Sequence, residues 1–263
     1  MRHPLPAAAL AAAALIALTA CSGSADQDAA AGDGELALVT PGTLTVCTNP
    51  PFDPFEFEDE NGEIVGIDID ITREVADDLG LELEVVVSPF DTLESGASLD
   101  TGACDISASG LTITDERAAK FDFSQPYFDA DQGLLVAAGS GIEDVESLAG
   151  KKIAVQMATT GETWVEEQGL TPVQFEDLGL QIQALQTGQV DAVVNDIAVL
   201  GAFVSDGLEV TSTFPTGEQY GLGVKKGNTA LLEAVDATLD RIHEDGTYDA
   251  IYTERIGTAP LAD

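Results

Sequence analysis

The sequence predicts an α/β protein of two lobes with a cleft between them, each lobe a mostly parallel sheet flanked by helices. Three observations lead to this prediction. Short runs rich in Val, Ile and Leu alternate with segments whose apolar residues recur at helical spacing, a rhythm typical of parallel α/β sheets. The rhythm restarts after Gly139. The 263 residues also provide enough apolar material for two cores.

The elements follow in order along the chain. We expect strands at 44–46, 81–85, 105–109, 152–156 and 190–195, and a hairpin at 55–62 that turns at Asn61-Gly62. Helices are expected at 70–79, 162–168, 180–187, 197–205 and 229–244. Asp70 is placed as the N-cap of the first helix, because a carboxylate there accepts hydrogen bonds from free backbone N–H groups, and Gly80 as the end of that helix.

The charge balance limits the partners. The chain carries 47 acidic residues against 10 Lys and Arg, a formal net charge of −37. Such a surface repels phosphate backbones and anionic lipid headgroups, so nucleic acid is not expected as a partner. No stretch after the amino terminus approaches the length of apolar sequence that spans a bilayer, so no transmembrane helix is predicted.

The amino terminus is typical of an export signal. One basic residue precedes an Ala/Leu run that ends at Thr19-Ala20-Cys21, and small residues directly before Cys resemble the bacterial lipobox. Residues 1–20 would then be removed, Cys21 would be acylated, and 21–41 would form a flexible tether. The protein is expected outside the cytoplasm, anchored to the cell membrane by lipid. An ordinary secretory signal with a chance Cys is the alternative.

The scarcity of Cys and His excludes several kinds of active site. Cys47 and Cys104 are the pair left once Cys21 is acylated, and in an exported protein they are expected to form a disulfide, with buried free thiols as the alternative. His3 leaves with the signal, and His243 is expected on the solvated face of a late helix. Ser-His-Asp catalysis, Cys-His catalysis and a His-rich zinc site therefore lack parts. Neither a metal nor a cofactor is expected.

Several segments in order resemble one known family. They are Pro51–Phe57, Val65–Asp70, Gly110–Arg117, Phe121–Tyr127, Ala149–Gln156, Val190–Asp196, Tyr220–Gly227 and Asp245–Tyr248. Together they make the chain similar to the family 3 extracellular solute-binding proteins, the receptors of polar amino-acid ABC importers, from about Gly42 to Gly257.

The resemblance implies the type II periplasmic-binding-protein fold, in which two lobes joined by two hinge strands close on the ligand. Residues 42–132 plus 222–263 would form lobe I and 139–215 lobe II. The hinge strands would pass near 133–138 and 216–221. A monomer is expected.

The same resemblance implies a site for a free amino acid. Arg117 would bind the α-carboxylate, because its planar fork matches a carboxylate in a bidentate way that Lys cannot. Asp196 would bind the α-ammonium from the other lobe. The alternatives are a surface Arg117 paired with Asp115 or Glu116, and an Asp196 that caps the helix from Ile197.

The resemblance also implies a role for each of the other residues of this site. The Thr112 hydroxyl and Gly110 carbonyl would complete the ammonium and carboxylate contacts, and the Thr160 backbone N–H, with Thr159 beside it, would meet the carboxylate. Phe52 and Phe90 would sandwich the ligand's side chain, with core packing as the alternative. The residues that tune side-chain specificity would be Asn49, Gln156 and Asn195. Ala158 stands where many relatives have Gly, which would tighten the carboxylate loop.

We therefore expect the substrate-binding component of an ABC importer, which delivers an amino acid to permease subunits in the membrane and is not an enzyme. A dehydratase acting on prephenate- or arogenate-like compounds is one alternative, with Glu94 and Glu176 as the only candidate acids. A ligand-sensing domain is another. With Arg117 as the lone cation expected in the site, the pattern favours a neutral polar or basic ligand side chain over an acidic one.

Overall fold

The computed structural model describes residues 36–204 and 207–257. The predicted signal, the predicted acylation site Cys21 and most of the predicted tether lie outside these residues. The strands are β1 Thr43–Thr48, β2 Phe57–Glu58, β3 Ile64–Val65, β4 Glu82–Val87, β5 Ile106–Ser107, β6 Asp122–Phe123, β7 Phe128–Ala137, β8 Ile153–Gln156, β9 Pro172–Phe175, β10 Ala192–Asp196, β11 Leu208–Tyr220 and β12 Gly223–Val224. The helices are α1 Ile67–Leu79, α2 Phe90–Glu94, α3 Ala97–Asp100, α4 Asp115–Lys120, α5 Thr160–Glu167, α6 Leu178–Gln186, α7 Ile197–Leu200, α8 Thr229–Asp245 and α9 Thr247–Ile256.

The strands form two five-stranded sheets and a small hairpin of β2 and β3. The first sheet has the order β4-β1-β5-β12-β6, with β4, β1 and β5 parallel and β12 antiparallel to its neighbours. The second has the order β11-β7-β10-β8-β9, in which β10, β8 and β9 are parallel and β7 runs antiparallel to β10 and β11. The predicted α/β class is confirmed, with antiparallel strands added to each parallel core.

Helix α1 shows how the local sequence determines a boundary. It begins at Ile67, because Gly66 has φ 137° and a Cβ there would lie 2.1 Å from the carbonyl oxygen of Phe55. The prediction that Asp70 caps this helix is wrong: Asp70 lies in the first turn, and its carboxylate accepts a hydrogen bond of 2.7 Å from Arg255 Nε. The helix ends at Gly80 in the left-handed conformation, as predicted.

Several other elements also differ from expectation, and for β9 the physical reason is plain. The helix predicted at 197–205 is only the four-residue α7 followed by a 3₁₀ turn at Gly201–Phe203. Strand β9 was not predicted, since it begins with Pro172, and proline lacks the N–H that a central strand needs. Because β9 pairs only with β8 at the edge of the second sheet, the missing donor is tolerated there.

Two chain segments pass from one sheet to the other. Phe128–Ala130 pair only with Glu218–Tyr220, as a two-stranded antiparallel ribbon, whereas Gln132–Val136 also pair with β10. The first hinge predicted at 133–138 therefore falls inside the second sheet, because β7 continues beyond the crossing as a partner of β10. We place the crossing at about 128–131 and 217–220, and the lobe boundaries stay a prediction.

Cys47 of β1 and Cys104, two residues before β5, are joined in a disulfide with their Cα atoms 5.7 Å apart. Strands β1 and β5 are parallel neighbours, which brings the two residues together. Both are buried in a cluster with Phe90, Leu93 and Phe121 beside the cleft. Among the described residues, no helix combines the length and apolarity that crossing a membrane requires.

Candidate functional site

A cavity of about 370 Å³, part of which opens to solvent, lies between the two sheets. Every predicted ligand-binding residue lines it: Asn49, Phe52, Phe90, Gly110, Thr112, Arg117, Gln156, Thr159, Thr160, Asn195 and Asp196. Three residues that were not predicted also line it, namely Ser109, Gln132 and Gly161. Neither Glu94 nor Glu176, the candidate acids of the dehydratase alternative, is among the lining residues.

Arg117 is the cation of this cavity. It lies in α4, whose N-cap Thr114 accepts a hydrogen bond from the Arg117 backbone N–H, and only 4% of it is exposed. Its Nη1 donates to the Thr112 carbonyl and its Nη2 to the Ala158 carbonyl, both at 3.0 Å. The guanidinium carbon lies 5.5 Å from the centroid of the Phe90 ring, within cation–π distance.

The surface alternative for Arg117 is wrong, because the side chain is buried and forms no ion pair with Asp115 or Glu116. Its closest carboxylate is that of Glu94, 4.0 Å from Nε, and Glu94 also lies 3.3 Å from Lys120 Nζ. Burial lowers the pKa of Arg117 from its usual value, while the surrounding acids raise it. The guanidinium remains charged, and it is available to an anion that enters the cleft.

The loop after β8 brings the second sheet against Arg117. Ala158 has φ 63°, a left-handed conformation uncommon for residues other than glycine, and its carbonyl accepts from Arg117 Nη2. Thr159 is the N-cap of α5: its hydroxyl accepts from the Glu162 N–H and donates to the Gln156 carbonyl. Because the first N–H groups of a helix have no partner within it, Thr160 and Gly161 bring free donors to the cavity wall.

Asp196 ends β10 and is 7% exposed. Tyr220 Oη donates to its Oδ2 at 2.5 Å, and Gln132 Nε2 donates to its Oδ1. Asp196 occupies the N-cap position of α7, but its side chain makes no capping hydrogen bond. Burial, opposed by the hydrogen bond from Tyr220, raises the pKa of Asp196 to about 7. The capping alternative therefore holds for the backbone position only.

The remaining wall is aromatic and amide-rich. Phe52 and Phe90 are each 8% exposed and line the cavity, so they pack in the core and face the cleft at once. Asn49 and Gln156 meet across the cleft, with Gln156 Nε2 donating to Asn49 Oδ1 at 2.9 Å. Asn195 Oδ1 accepts from the Asp196 backbone N–H. These amides supply both donors and acceptors to the cavity.

Two buried acids hold the segment Ser109–Gly110. Ser109 Oγ donates to Glu56 Oε1 at 2.5 Å and accepts from the Asn49 backbone N–H, and the Gly110 N–H donates to Asp68 Oδ2. Burial raises the pKa of Glu56 well above its usual value and that of Asp68 to about 6. Gly110 has φ 48°, and a Cβ there would lie 2.5 Å from a ring carbon of Phe52. A glycine is therefore required at this point of the wall.

Of the residues that were missed, two had a signal. Ser109 and Gly161 adjoin predicted site residues in the segments Gln156–Gly161 and Gly110–Arg117, so both could have been included. Gln132 had none, because its partners Asp196 and Glu218 are 64 and 86 residues away in the chain. Within residues 36–204 and 207–257, no group of three or more His, Cys, Asp or Glu side chains is placed to hold a metal ion.

Comparison with known proteins agrees with this geometry. Residues 44–258 match the model of the bacterial extracellular solute-binding proteins, family 3. A probable histidine-binding protein of Neisseria gonorrhoeae is 36% identical over 94% of this chain and 93% of its own length. The ABC transporter glutamine-binding protein GlnH of Bacillus subtilis is 35% identical over 76% of each chain.

Solved structures of amino-acid-binding proteins have a similar fold over most of this chain. A mutant of ArgBP from T. maritima has a TM-score of 0.79 and 40% identity, covering 82% of this chain and 96% of that one. An ancestral amino acid-binding protein described as a precursor of cyclohexadienyl dehydratase has a TM-score of 0.75 and 35% identity, over 82% and 95%. The expected two-lobed fold and the expected class of amino-acid ABC transporter binding proteins are confirmed at this level. The chain belongs to the bacterial extracellular solute-binding proteins, family 3.

Proposed function

We propose that this protein captures a free amino acid between its two lobes outside the cytoplasmic membrane and delivers it to the permease subunits of an ABC importer. One observation carries the proposal: Arg117 and Asp196, a buried cation and a buried carboxyl group, line one cavity. Arg117 lies in α4, between β5 and β6 of the first sheet along the chain, and Asp196 ends β10 of the second sheet. A free amino acid carries the complementary carboxylate and ammonium on a single carbon. Each end of the ligand therefore meets a group of opposite charge.

The carboxylate is bound by Arg117 and by the start of α5. The guanidinium offers parallel N–H groups to a carboxylate, which is a strong charge-assisted arrangement in a buried site. The N–H groups of Thr160 and Gly161 add donors where the helix dipole favours a negative charge. Thr159 contributes by fixing this helix start, since its hydroxyl is engaged as the N-cap.

The ammonium is bound by Asp196, the Thr112 hydroxyl and the Gly110 carbonyl. An ammonium beside Asp196 favours the charged carboxylate, so ligand binding lowers the pKa of a group that burial has raised to about 7. The desolvation that destabilises the empty carboxylate is thus offset when the ligand enters.

The ligand's side chain lies between Phe52 and Phe90. Three amide side chains, those of Asn49, Gln156 and Asn195, are available to hydrogen-bond with it. Beyond Asn49 and Phe90, a second groove is lined by Asp91, Glu176 and Asp177, with no Lys or Arg among its described lining residues. These features favour a neutral polar or cationic side chain and disfavour an acidic one. The relatives named as histidine- and glutamine-binding proteins have ligands within this range.

A binding role is better supported than catalysis. The dehydratase alternative needs a general acid in the cleft. Glu94 is paired with Lys120, and Glu176 contributes only its backbone carbonyl to Gln156. Asp196 has a raised pKa, but both of its oxygens accept hydrogen bonds from Tyr220 and Gln132, which suits a fixed partner for an ammonium. Attachment to the membrane is proposed from Cys21 and the tether in the sequence, and a monomer from the fact that one chain lines the cavity by itself. Incubation with prephenate and arogenate is expected to yield no product.

A thermal-shift screen of the twenty amino acids tests the proposal. A ligand present at 100 times its Kd stabilises the protein by about 2.7 kcal/mol, which raises Tm by roughly 5–10 °C for a domain of this size. We expect such a shift for at least one neutral polar or basic amino acid and none for Asp or Glu. If no amino acid raises Tm, or if product forms from prephenate, the proposed function is wrong.

A further inference from the structure

Gln132 lies in β7, two residues beyond the ribbon that Phe128–Ala130 form with Glu218–Tyr220. In β7 it pairs with Asp196 of β10 on one side and with Phe214 of β11 on the other. Its side chain is completely buried, yet it forms part of the cavity wall. A polar side chain in this position must find its hydrogen-bond partners within the protein or in the ligand.

The amide nitrogen of Gln132 has both partners. Nε2 donates one hydrogen to Asp196 Oδ1 and the other to Glu218 Oε2, the latter at 2.9 Å. This pairing fixes the orientation of the amide, because the flipped form would turn its oxygen towards two carboxylates. Glu218 also accepts from the Thr160 hydroxyl at 3.3 Å. The bridge thus connects the proposed ammonium end of the site with the start of α5.

The amide oxygen of Gln132 has no hydrogen-bond donor among the described residues, although it is buried. It lies 2.9 Å from the point that a Cβ of Gly161 would occupy, at the first turn of α5. Because Gln132 lines the cavity, this acceptor without a donor lies beside the cavity and next to the first turn of α5. A buried acceptor without a donor is destabilising, so a donor brought by the ligand at this point stabilises the complex.

We propose that the Gln132 carboxamide oxygen accepts a hydrogen bond from the α-ammonium of the bound amino acid, and that Gly161 leaves room for this oxygen. The inference rests on the proposed function, since it takes an amino acid as the ligand. Of the two charged ends of an amino acid, only the ammonium can donate a hydrogen bond. Gln132 is hydrogen-bonded to Asp196, the residue proposed to bind that ammonium. Gln132 is thereby a ligand-contacting residue as well as the bridge between two carboxylates.

A double-mutant cycle distinguishes a direct contact of Gln132 with the ligand from its role as a bridge between Asp196 and Glu218. Gln132→Ala removes the acceptor and the bridge together. Gly161→Ala leaves the bridge and, among the described protein atoms, crowds only the Gln132 oxygen. Loss of a hydrogen bond to a charged group weakens binding about 10- to 100-fold, so we expect Gln132→Ala to fall in this range and Gly161→Ala to lose at least about tenfold. In the Gln132→Ala background, Gly161→Ala is expected to cost nothing further, because the oxygen it crowds is gone.

Calorimetric titration with L-arginine, L-glutamine and L-histidine measures these affinities, with thermal unfolding of each ligand-free variant to check its fold. Gln219→Ala is the matched control: it removes a Gln from the exposed face of the same ribbon, where Nε2 bonds Asp129 at 2.8 Å. Normal binding by Gly161→Ala, or an undiminished effect of it in the Gln132→Ala background, overturns the contact while leaving the proposed function intact. Failure of the unmutated protein to bind any of the three probes overturns the inference as framed; if it binds none of the twenty amino acids, the proposed function is overturned as well.

Discussion

The guanidinium of Arg117 donates a 3.0 Å hydrogen bond to the backbone carbonyl of Ala158, which joins α4 beside the first sheet to the loop that follows β8 in the second. Ala158 directs its carbonyl there from a left-handed backbone conformation, with φ 63°. For an L-residue with a Cβ this conformation costs roughly 1–2 kcal/mol. Backbone strain is thus located at the point where the two lobes meet around the proposed carboxylate site.

Ala158→Gly relieves this strain. We expect the ligand-free variant to gain about 1 kcal/mol in free energy of unfolding, because glycine adopts a positive φ without steric cost. Urea unfolding measures the change. Ala118→Gly in α4 is the control, and it should lose roughly 1 kcal/mol, since glycine destabilises a helix interior. Equal losses at both positions would show that the conformation of Ala158 carries no strain.

Arg117→Ala abolishes amino-acid binding while the fold persists. Leaving a buried charged partner unpaired costs on the order of 3–5 kcal/mol, which corresponds to a loss of roughly two to four orders of magnitude in affinity. Arg117→Lys loses much of this as well, because a point charge cannot replace two parallel hydrogen bonds. Calorimetry with the amino acid that gives the largest thermal shift is the measurement.

Lys120→Ala provides the matched control for these variants. Lys120 lies one turn further along α4 and pairs with Glu94 and Glu116 at the surface. Surface pairs contribute at most about 1 kcal/mol, so its removal should change the affinity less than about fivefold. Near-normal binding by Arg117→Ala would remove Arg117 from the site.

The affinity for the ligand falls as the pH decreases through the pKa of Asp196, which is about 7 in the ligand-free protein. The ammonium binds the ionised carboxylate, so protons compete with the ligand, and each pH unit below this pKa weakens binding up to about tenfold. Titrations at pH 8, 7 and 6 measure the slope. Asp196→Asn should bind weakly at every pH, with an affinity that does not change with pH. If the affinity of this variant still falls with decreasing pH, another group, such as Asp68, is responsible.

The stability of the ligand-free protein changes with pH in the opposite direction to the affinity for the ligand. The folded-state pKa of Asp196 is raised above the ordinary value of 3.8, so the folded protein holds this proton more tightly than the unfolded chain does. The resulting stability is fully present below about pH 4 and is lost as the pH rises through 7. Urea unfolding should therefore show Asp196→Asn more stable than the unmutated protein at pH 8, with the difference shrinking towards pH 5.

The Cys47–Cys104 disulfide stabilises the first lobe. It closes a loop with a sequence separation of 57 residues, for which chain entropy gives about 4 kcal/mol. The double variant Cys47→Ala, Cys104→Ala is expected to lose an amount of this order in urea unfolding. Mass spectrometry of the mature protein, alkylated under denaturing conditions without reductant, should find neither cysteine modified. Two alkylated thiols would show that the bond does not form.

Local sequence was sufficient wherever one short segment determines a feature. The motif from Gly110 to Arg117 contains its own helix cap at Thr114 and places the guanidinium one turn later, so the position of Arg117 follows from residues within the segment. The same is true of Asp196 at the end of β10. Because the ends of strands meet at the cleft of such a fold, the residues that the family resemblance assigned one by one in these segments line a single cavity.

Tertiary structure alone decided the contacts between distant segments. Gln132, Asp196 and Glu218 form one hydrogen-bond network across separations of 64 and 86 residues, and no local pattern in the chain relates them. The same holds for residues 132–136, since only the pairing of β7 with β10 shows that they belong to the second sheet. Spacing along the chain reports which face of an element a residue occupies, whereas the partner across the cleft depends on how whole sheets pack. The sequence by itself thus determined the family, the fold class and most of the residues that line the cavity. The packing of the two lobes decided which polar groups are left for the ligand to pair with.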